Sequence, residues 1–203
     1  MVIGILSDTH MPSSTRDLWP EMRRAFQAVD LILHGGDIFL SSVLDALEGI
    51  APVLAARGNN DSPQMGPRVQ ECHILEIAGW RLGLIHDLEP EERPIPYLQR
   101  SYFQDHPVDI MVSGHTHFER LDYREGVLQV NPGSPTLPHQ YSPRLGTVAL
   151  LDIQPTRVVT RVVRLGETPG ARNPGVEMSL TMQRKRRRKA VSSLPGEGNR
   201  TLS

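Results

Sequence analysis

One cysteine, Cys72, stands among 203 residues. That excludes an intramolecular disulfide, suits a reducing compartment and leaves no thiolate cage for a structural zinc. Long apolar runs are missing too. Nothing approaches the roughly 20 residues that a membrane helix needs. The apolar N-terminus, residues 1–6, is too short for a signal segment and lacks its basic flank. The expectation is a soluble, cytoplasmic protein. Lysine is absent before residue 185, and residues 1–165 carry 14 arginines against 20 acidic residues, a net −6. An acidic body does not suit a surface that tracks nucleic acid. Residues 166–203 carry 8 basic and 3 acidic residues, a net +5, without apolar periodicity. The chain therefore reads as one domain over 1–165 and a disordered basic tail over 166–203, and removing 170–203 is expected to leave folding and function intact.

What is present is a series of short apolar runs, each stopping at polar residues. Residues 2–6 end at Ser7-Asp8-Thr9-His10, residues 31–34 at Gly35-Gly36-Asp37, and residues 52–56 at Arg57-Gly58-Asn59-Asn60-Asp61. Helical patterns lie between them, at about 19–28 and at 43–47, the second with Ser41-Ser42 as its cap and Gly49 as its stop. That order is β-α-β-α-β with short links, an α/β arrangement in which ligands bind beyond the carboxyl ends of the strands. Further on, 69–78 and 81–85 read as a hairpin ending at His86-Asp87, and 95–104 as a helix. Residues 108–112 read as a buried strand ending at Ser113-Gly114-His115-Thr116-His117, and 120–124 with 127–130 as a second hairpin. Two closing strands follow, 146–153 and 157–165. The last alternates Val and Arg, as an edge or half-exposed strand does.

The polar stops carry the chemistry. Asp8-x-His10, Gly36-Asp37, Gly58-Asn59, His86 and Gly114-His115-x-His117 supply oxygen and imidazole ligands without cysteine. In extended chain, residues two apart face the same way, so Asp8 with His10, and His115 with His117, can each address one site. Mixed O and N donors suit Mn²⁺, Fe or Zn²⁺ better than Ca²⁺. Any one of these motifs alone reads as an ordinary turn. The ordered set does not.

That set resembles the calcineurin-like metallophosphoesterases, and most of all the small bacterial and archaeal phosphodiesterases related to the retromer subunit of the same fold. The resemblance spans residues 1–165. It implies a four-layer α/β/β/α sandwich of two mixed sheets. It implies two divalent ions, Mn first, with Fe, Ni, Zn or Co as alternatives. Asp8, His10, Asp37 and His117 would hold one ion, and Asp37, Asn59, His86 and His115 the other, with Asp37 bridging. Asp37, Asn59 and His115 would then serve catalysis, and a hydroxide between the ions would attack the phosphorus of a small phosphoester in line. A binding scaffold on the same fold is the alternative, and the complete ligand set favours the enzyme. A nuclease branch usually carries added regions for which this chain leaves little room.

Departures are informative. Many relatives place His after the Gly-Asn pair to protonate the leaving group, and here Asn60 stands there. The proton would come from a metal-bound water, Asp61 or His139. Asp87 replaces the Gly that usually follows His86, and Ile38-Phe39 replaces the continuation typical of protein Ser/Thr phosphatases. Asp61 reads either as a turn residue holding the Asn59 loop or as a partner of a histidine. His34, His73 and His106 read as ordinary residues, His34 having the best claim to support the site. Asn131-Pro132-Gly133-Ser134 recurs near the site in such relatives, and for Pro132 and Gly133 a structural turn is the preferred reading. Specificity is expected in loops 62–68, 87–96 and 134–144. Homo-oligomers stay open. The basic block 184–189 has the charge to bind nucleic acid, but an unstructured end is the simpler reading.

Overall fold

The computed structural model describes residues 1–63, 65–104, 106–140 and 142–184. The expected basic block from Lys185 onward, and with it half of the segment expected to be a disordered tail, lies outside the described residues.

Among the described residues, twelve strands form two sheets. In the first, β1 (Val2–Leu6), β2 (Leu31–His34), β3 (Val53–Ala56) and the short β4 (Val69–Gln70) run parallel. On the other side of β1, β10 (Thr147–Gln154), β11 (Arg157–Arg164) and β12 (Met178–Gln183) follow antiparallel. The second sheet has the order β5 (Cys72–Ile77), β6 (Trp80–Ile85), β7 (Ile110–Val112), β9 (Val127–Pro132), β8 (Glu119–Arg124). In it β6, β7 and β9 are parallel to one another.

Three hydrophobic layers hold this together. Ile3, Ile5 and Leu33 of the first sheet meet Leu82, Leu84, Ile110, Val112 and Leu128 of the second. The opposite face of the first sheet carries α1 (Pro20–Ala25) and α2 (Ser41–Glu48) through Met22, Phe26, Leu44 and Leu47. Phe26 lies flat on β1 at Gly4, where a Cβ would come within 2.9 Å of its ring. Its full burial contributes on the order of 1.5–3 kcal/mol. The outer face of the second sheet carries α3 (Ile95–Leu98) through Ile95, Leu98 and Phe103. The result is an α/β/β/α sandwich. Central strands buried on both faces explain the continuous apolar runs of the sequence. Two polar ties also join the sheets: His73 Nε2 meets the Ala55 carbonyl at 2.8 Å, and Trp80 Nε1 donates to the Gln154 carbonyl at 2.8 Å.

Several expectations are corrected. The chain does not become disordered at 166. Strand β12 pairs along β11, and Met182 is buried between the sheets at 1 % exposure. The alternation Met178-Ser179-Leu180-Thr181-Met182 carries that signal at period two, with Met182 inward. Arg184 also belongs to the fold, its guanidinium lying 4.1 Å over the Trp80 ring. Strand β11 is consequently internal; its Arg–Val alternation records one solvated face. Residues 69–77 do not form one strand. Val69–Gln70 pairs with β3, and the chain crosses to the second sheet at Glu71. Ser41 and Ser42 lie inside α2 behind Leu40 and make no cap. The 95–104 helix is one α-turn followed by a π-turn, Gln99–Phe103.

Candidate metal centre

Strands β1, β2 and β3 are neighbours and parallel, as are β6, β7 and β9, so their carboxyl ends gather at one end of the sandwich. All seven sequence-derived candidate ligands sit at these ends. How they get there differs from expectation. Asp8, His10, Asp37, His115 and His117 are not extended; their φ values are +55, +47, +56, +70 and +62°. Left-handed turns, not strand pleats, aim these side chains. Non-glycine residues rarely hold that conformation, at a cost of order 1–3 kcal/mol each unless their surroundings fix it.

The surroundings do fix it. The Asp61 carboxylate accepts the backbone N–H groups of Asp37 (2.9 Å), Ile38 (2.7 Å), Phe39 (2.9 Å) and Gly58 (2.8 Å). It locks the Asp37 turn against the Asn59 loop. Gly58 is where the two loops touch: a Cβ there would sit 2.1 Å from Asp37 Oδ1. His34 is fully buried and takes the Gly36 N–H on Nδ1 at 3.1 Å, which leaves Nε2–H to face Thr9 Oγ1 at 3.1 Å. Burial lowers its pKa to about 3, so the imidazole is neutral. Ser134 Oγ donates to the Asp8 carbonyl at 2.8 Å, and Thr136 Oγ1 to the Thr9 carbonyl at 2.9 Å. The Asn131 amide donates to the Gly114 carbonyl at 2.8 Å, to Thr116 Oγ1 at 3.1 Å and to the buried Glu91 at 3.2 Å. Sequence reading placed Asn131 and Ser134 near the site, undervalued His34 and missed Thr136 and Glu91. A lone polar residue carries no mark that its partner is another strand's loop.

Two groups of donor atoms result. In one, His10 Nε2 and His117 Nε2 lie 3.1 Å apart, with Asp8 Oδ1 at 3.9 and 3.7 Å. In the other, Asn59 Oδ1 lies 3.1 Å from His86 Nε2 and 3.0 Å from His115 Nδ1, which are 3.2 Å from each other. Asp37 stands between them, with Oδ2 at 3.4 Å from His10 Nε2 and Oδ1 at 3.7 Å from His86 Nε2. The far nitrogens of His86 and His117 donate to carbonyls, of Gly35 at 2.7 Å and of Leu137 at 2.8 Å. That fixes bare Nε2 lone pairs toward the centre, the tautomer of a ligand. Burial lowers the pKa of His10, His86 and His117, which keeps them unprotonated, and raises that of Asp8.

Lone pairs converging at about 3 Å repel unless a cation or a proton lies among them. Asp8 Oδ1 adds to this. It is buried and makes no hydrogen bond among the described residues. Ligand separations of roughly 3–3.5 Å are what donors about 2.0–2.2 Å from one ion produce. The donor set therefore fits divalent cations. Asn60 does not take the place of an acid. It donates through its backbone N–H to Asp37 Oδ1 (2.9 Å) and through its amide to Oδ2 (2.6 Å), and so orients the carboxylate. His139 is drawn aside: its ring stacks on Phe118 at 4.3 Å and its Nε2 meets Glu119 at 3.0 Å.

The model of the calcineurin-like phosphoesterase superfamily domain matches residues 1–156. The chain belongs to this family. Metallophosphoesterases of this kind bind divalent metals, in keeping with the Asp and His groups above. A probable metallophosphoesterase of Methanothermobacter thermautotrophicus is 34% identical over 166 residues, covering 82% of this chain and 94% of that protein. One from Methanocaldococcus jannaschii is 38% identical over 138 residues, 68% of this chain and 70% of that one. Among solved structures, Vps29 of Entamoeba histolytica in complex with Zn²⁺ shares the fold at a TM-score of 0.70, with 22% identity over 90% of this chain and 99% of its own. An archaeal phosphodiesterase does so at 0.58, with 22% identity over 81% of this chain and 99% of its own. No helix of this chain, among the described residues, is long and apolar enough to cross a membrane.

Proposed function

We propose that the chain is a dinuclear, divalent-metal-dependent phosphodiesterase acting on a small phosphoester, with Mn²⁺ the preferred ion. The observation that carries this is Asp37, which turns one carboxylate oxygen toward each donor group. Asp8, His10 and His117 would hold one cation, and Asn59, His86 and His115 the other, with Asp37 shared. Cations bound there would acidify water and neutralise charge on the phosphoryl oxygens. The chain's own part is positional. Asp61 and Asn60 hold Asp37 in place, carbonyls set the tautomers of His86 and His117, and neutral Asn59 leaves the site more cationic than a carboxylate would. Asn60 cannot donate a proton, so esters of acidic alcohols suit the site best.

The test is metal-stripped protein reloaded with Mn²⁺, Ni²⁺, Zn²⁺, Co²⁺ or Fe²⁺ and assayed on model phosphodiesters and phosphomonoesters. Turnover with Mn²⁺, about two ions bound per chain, and a loss in Asp37→Asn beyond the roughly 10–100-fold typical of outer partners are expected. Full activity of Asp37→Asn would remove the bridging assignment. The likeness to Vps29, a vacuolar sorting protein, keeps a scaffold in view. Protein that binds no metal and hydrolyses nothing would favour it.

A further inference from the structure

Beside the Asn59, His86 and His115 donors opens a groove of about 520 Å³, within the size range of small-molecule sites. One wall is the π-turn Gln99–Phe103 and the residue after it. Isolated π-turns are rare and concentrate at functional sites. Here the turn sends neighbouring side chains opposite ways. Phe103 is buried on β6 at Gly83, where a Cβ would lie 2.2 Å from its ring. Tyr102 instead lines the groove, with its hydroxyl donating to the Glu89 carbonyl at 2.7 Å.

Gln104 also lines the groove, at φ +46°, ψ −117°. The chain turns here, the His106 N–H donating to the Phe103 carbonyl at 2.8 Å. A φ that positive is one that glycine ordinarily takes. Glutamine is thus kept at the groove against backbone strain. Charge narrows the occupant. Arg57 lines it as well, its Nη1 paired to Glu71 at 2.7 Å, and Asp87 adds a second carboxylate. Among the described residues the lining carries one cation against two carboxylates, with no surplus charge for a second phosphate. It also includes an aromatic residue, Tyr102, and an uncharged amide residue, Gln104.

We infer that this groove seats the uncharged, planar-ring alcohol portion of the phosphodiester, with Tyr102 and Gln104 as specificity-determining residues. The inference rests on the phosphoesterase reading. Phenyl phosphate and thymidine 5′-monophosphate, followed by saturation-transfer NMR on the full chain, distinguish a simple aryl ring from a nucleoside. Methyl phosphate is the ringless control. Ring protons of at least one probe are expected to report contact in the wild type and in Tyr102→Phe, and to lose it in Tyr102→Ala. With Mn²⁺ and bis(p-nitrophenyl) phosphate, Tyr102→Ala should raise KM roughly tenfold, as loss of one stacking face does, with the loss in KM exceeding any in kcat. Gln104→Gly keeps the turn and should weaken discrimination between the two ring probes. Ring probes that bind no better than methyl phosphate, or equal binding by Tyr102→Ala, overturn the inference. Absence of turnover in the wild type, with ring contact retained, would instead overturn the phosphoesterase reading and leave the ring site standing.

Discussion

Asp61 shows what a single residue carries here. Four backbone N–H groups from two loops end on one carboxylate. Each would be left unpaired without it, at a cost of about 1–3 kcal/mol apiece. Asp61→Ala should therefore lower stability in urea unfolding by about 3 kcal/mol or more and reduce metal affinity with it. A loss under about 0.5 kcal/mol, the range of ordinary surface changes, would show that the loops hold themselves. His34 sets a pH limit. Its folded-state pKa of about 3 lies below the ordinary 6.5, so the unfolded chain takes up a proton first as the pH falls. The stability present above pH 6.5 is lost as the pH falls toward 3, at up to about 1.4 kcal/mol per pH unit. His34→Asn keeps an acceptor for the Gly36 N–H and cannot titrate. It should flatten the acid limb of melting temperature against pH, and an unchanged limb would place the sensitivity elsewhere.

Elements decide where these residues meet. The parallel strands were legible because burial on both faces writes uninterrupted Val, Ile and Leu. The crossing at Glu71 was not, since Val69–Gln70 and Cys72–Ile77 differ in partner rather than in pattern. Strand β12 was readable from its alternation but was masked by the polar chain around it. It covers β11 in six register pairs and inserts Met182 between the sheets. A chain ending after residue 184 should unfold at the same urea concentration as the full chain. One ending after 169 should lose at least about 3 kcal/mol, from one buried side chain and an exposed strand edge. Equal midpoints for the two would make β12 dispensable.

At the scale of the whole molecule, the site is a meeting of two sheets, and cations there would tie them together. Melting temperature should rise with added Mn²⁺ without a sharp plateau, as ligand linkage requires, and Asp37→Asn should abolish the rise. A wild type indifferent to Mn²⁺ would mean that the donor groups hold no ion. The sequence by itself determined the α/β order of strands and helices and the candidate donors, because hydrophobic periodicity and strand-end polar residues are local properties; the four-layer sandwich it implied only through the family resemblance. Only the tertiary structure decided how the donors converge. The left-handed turns at Asp8, His10, Asp37, His115 and His117 are held by Asp61, Asn131, Ser134 and His34, each of which bonds a loop that follows another strand. It also decided that Asn60 steadies Asp37, that Glu119 draws His139 aside, and that the π-turn shapes the neighbouring groove. Those outcomes depend on distances between segments far apart in the chain, which no local pattern records.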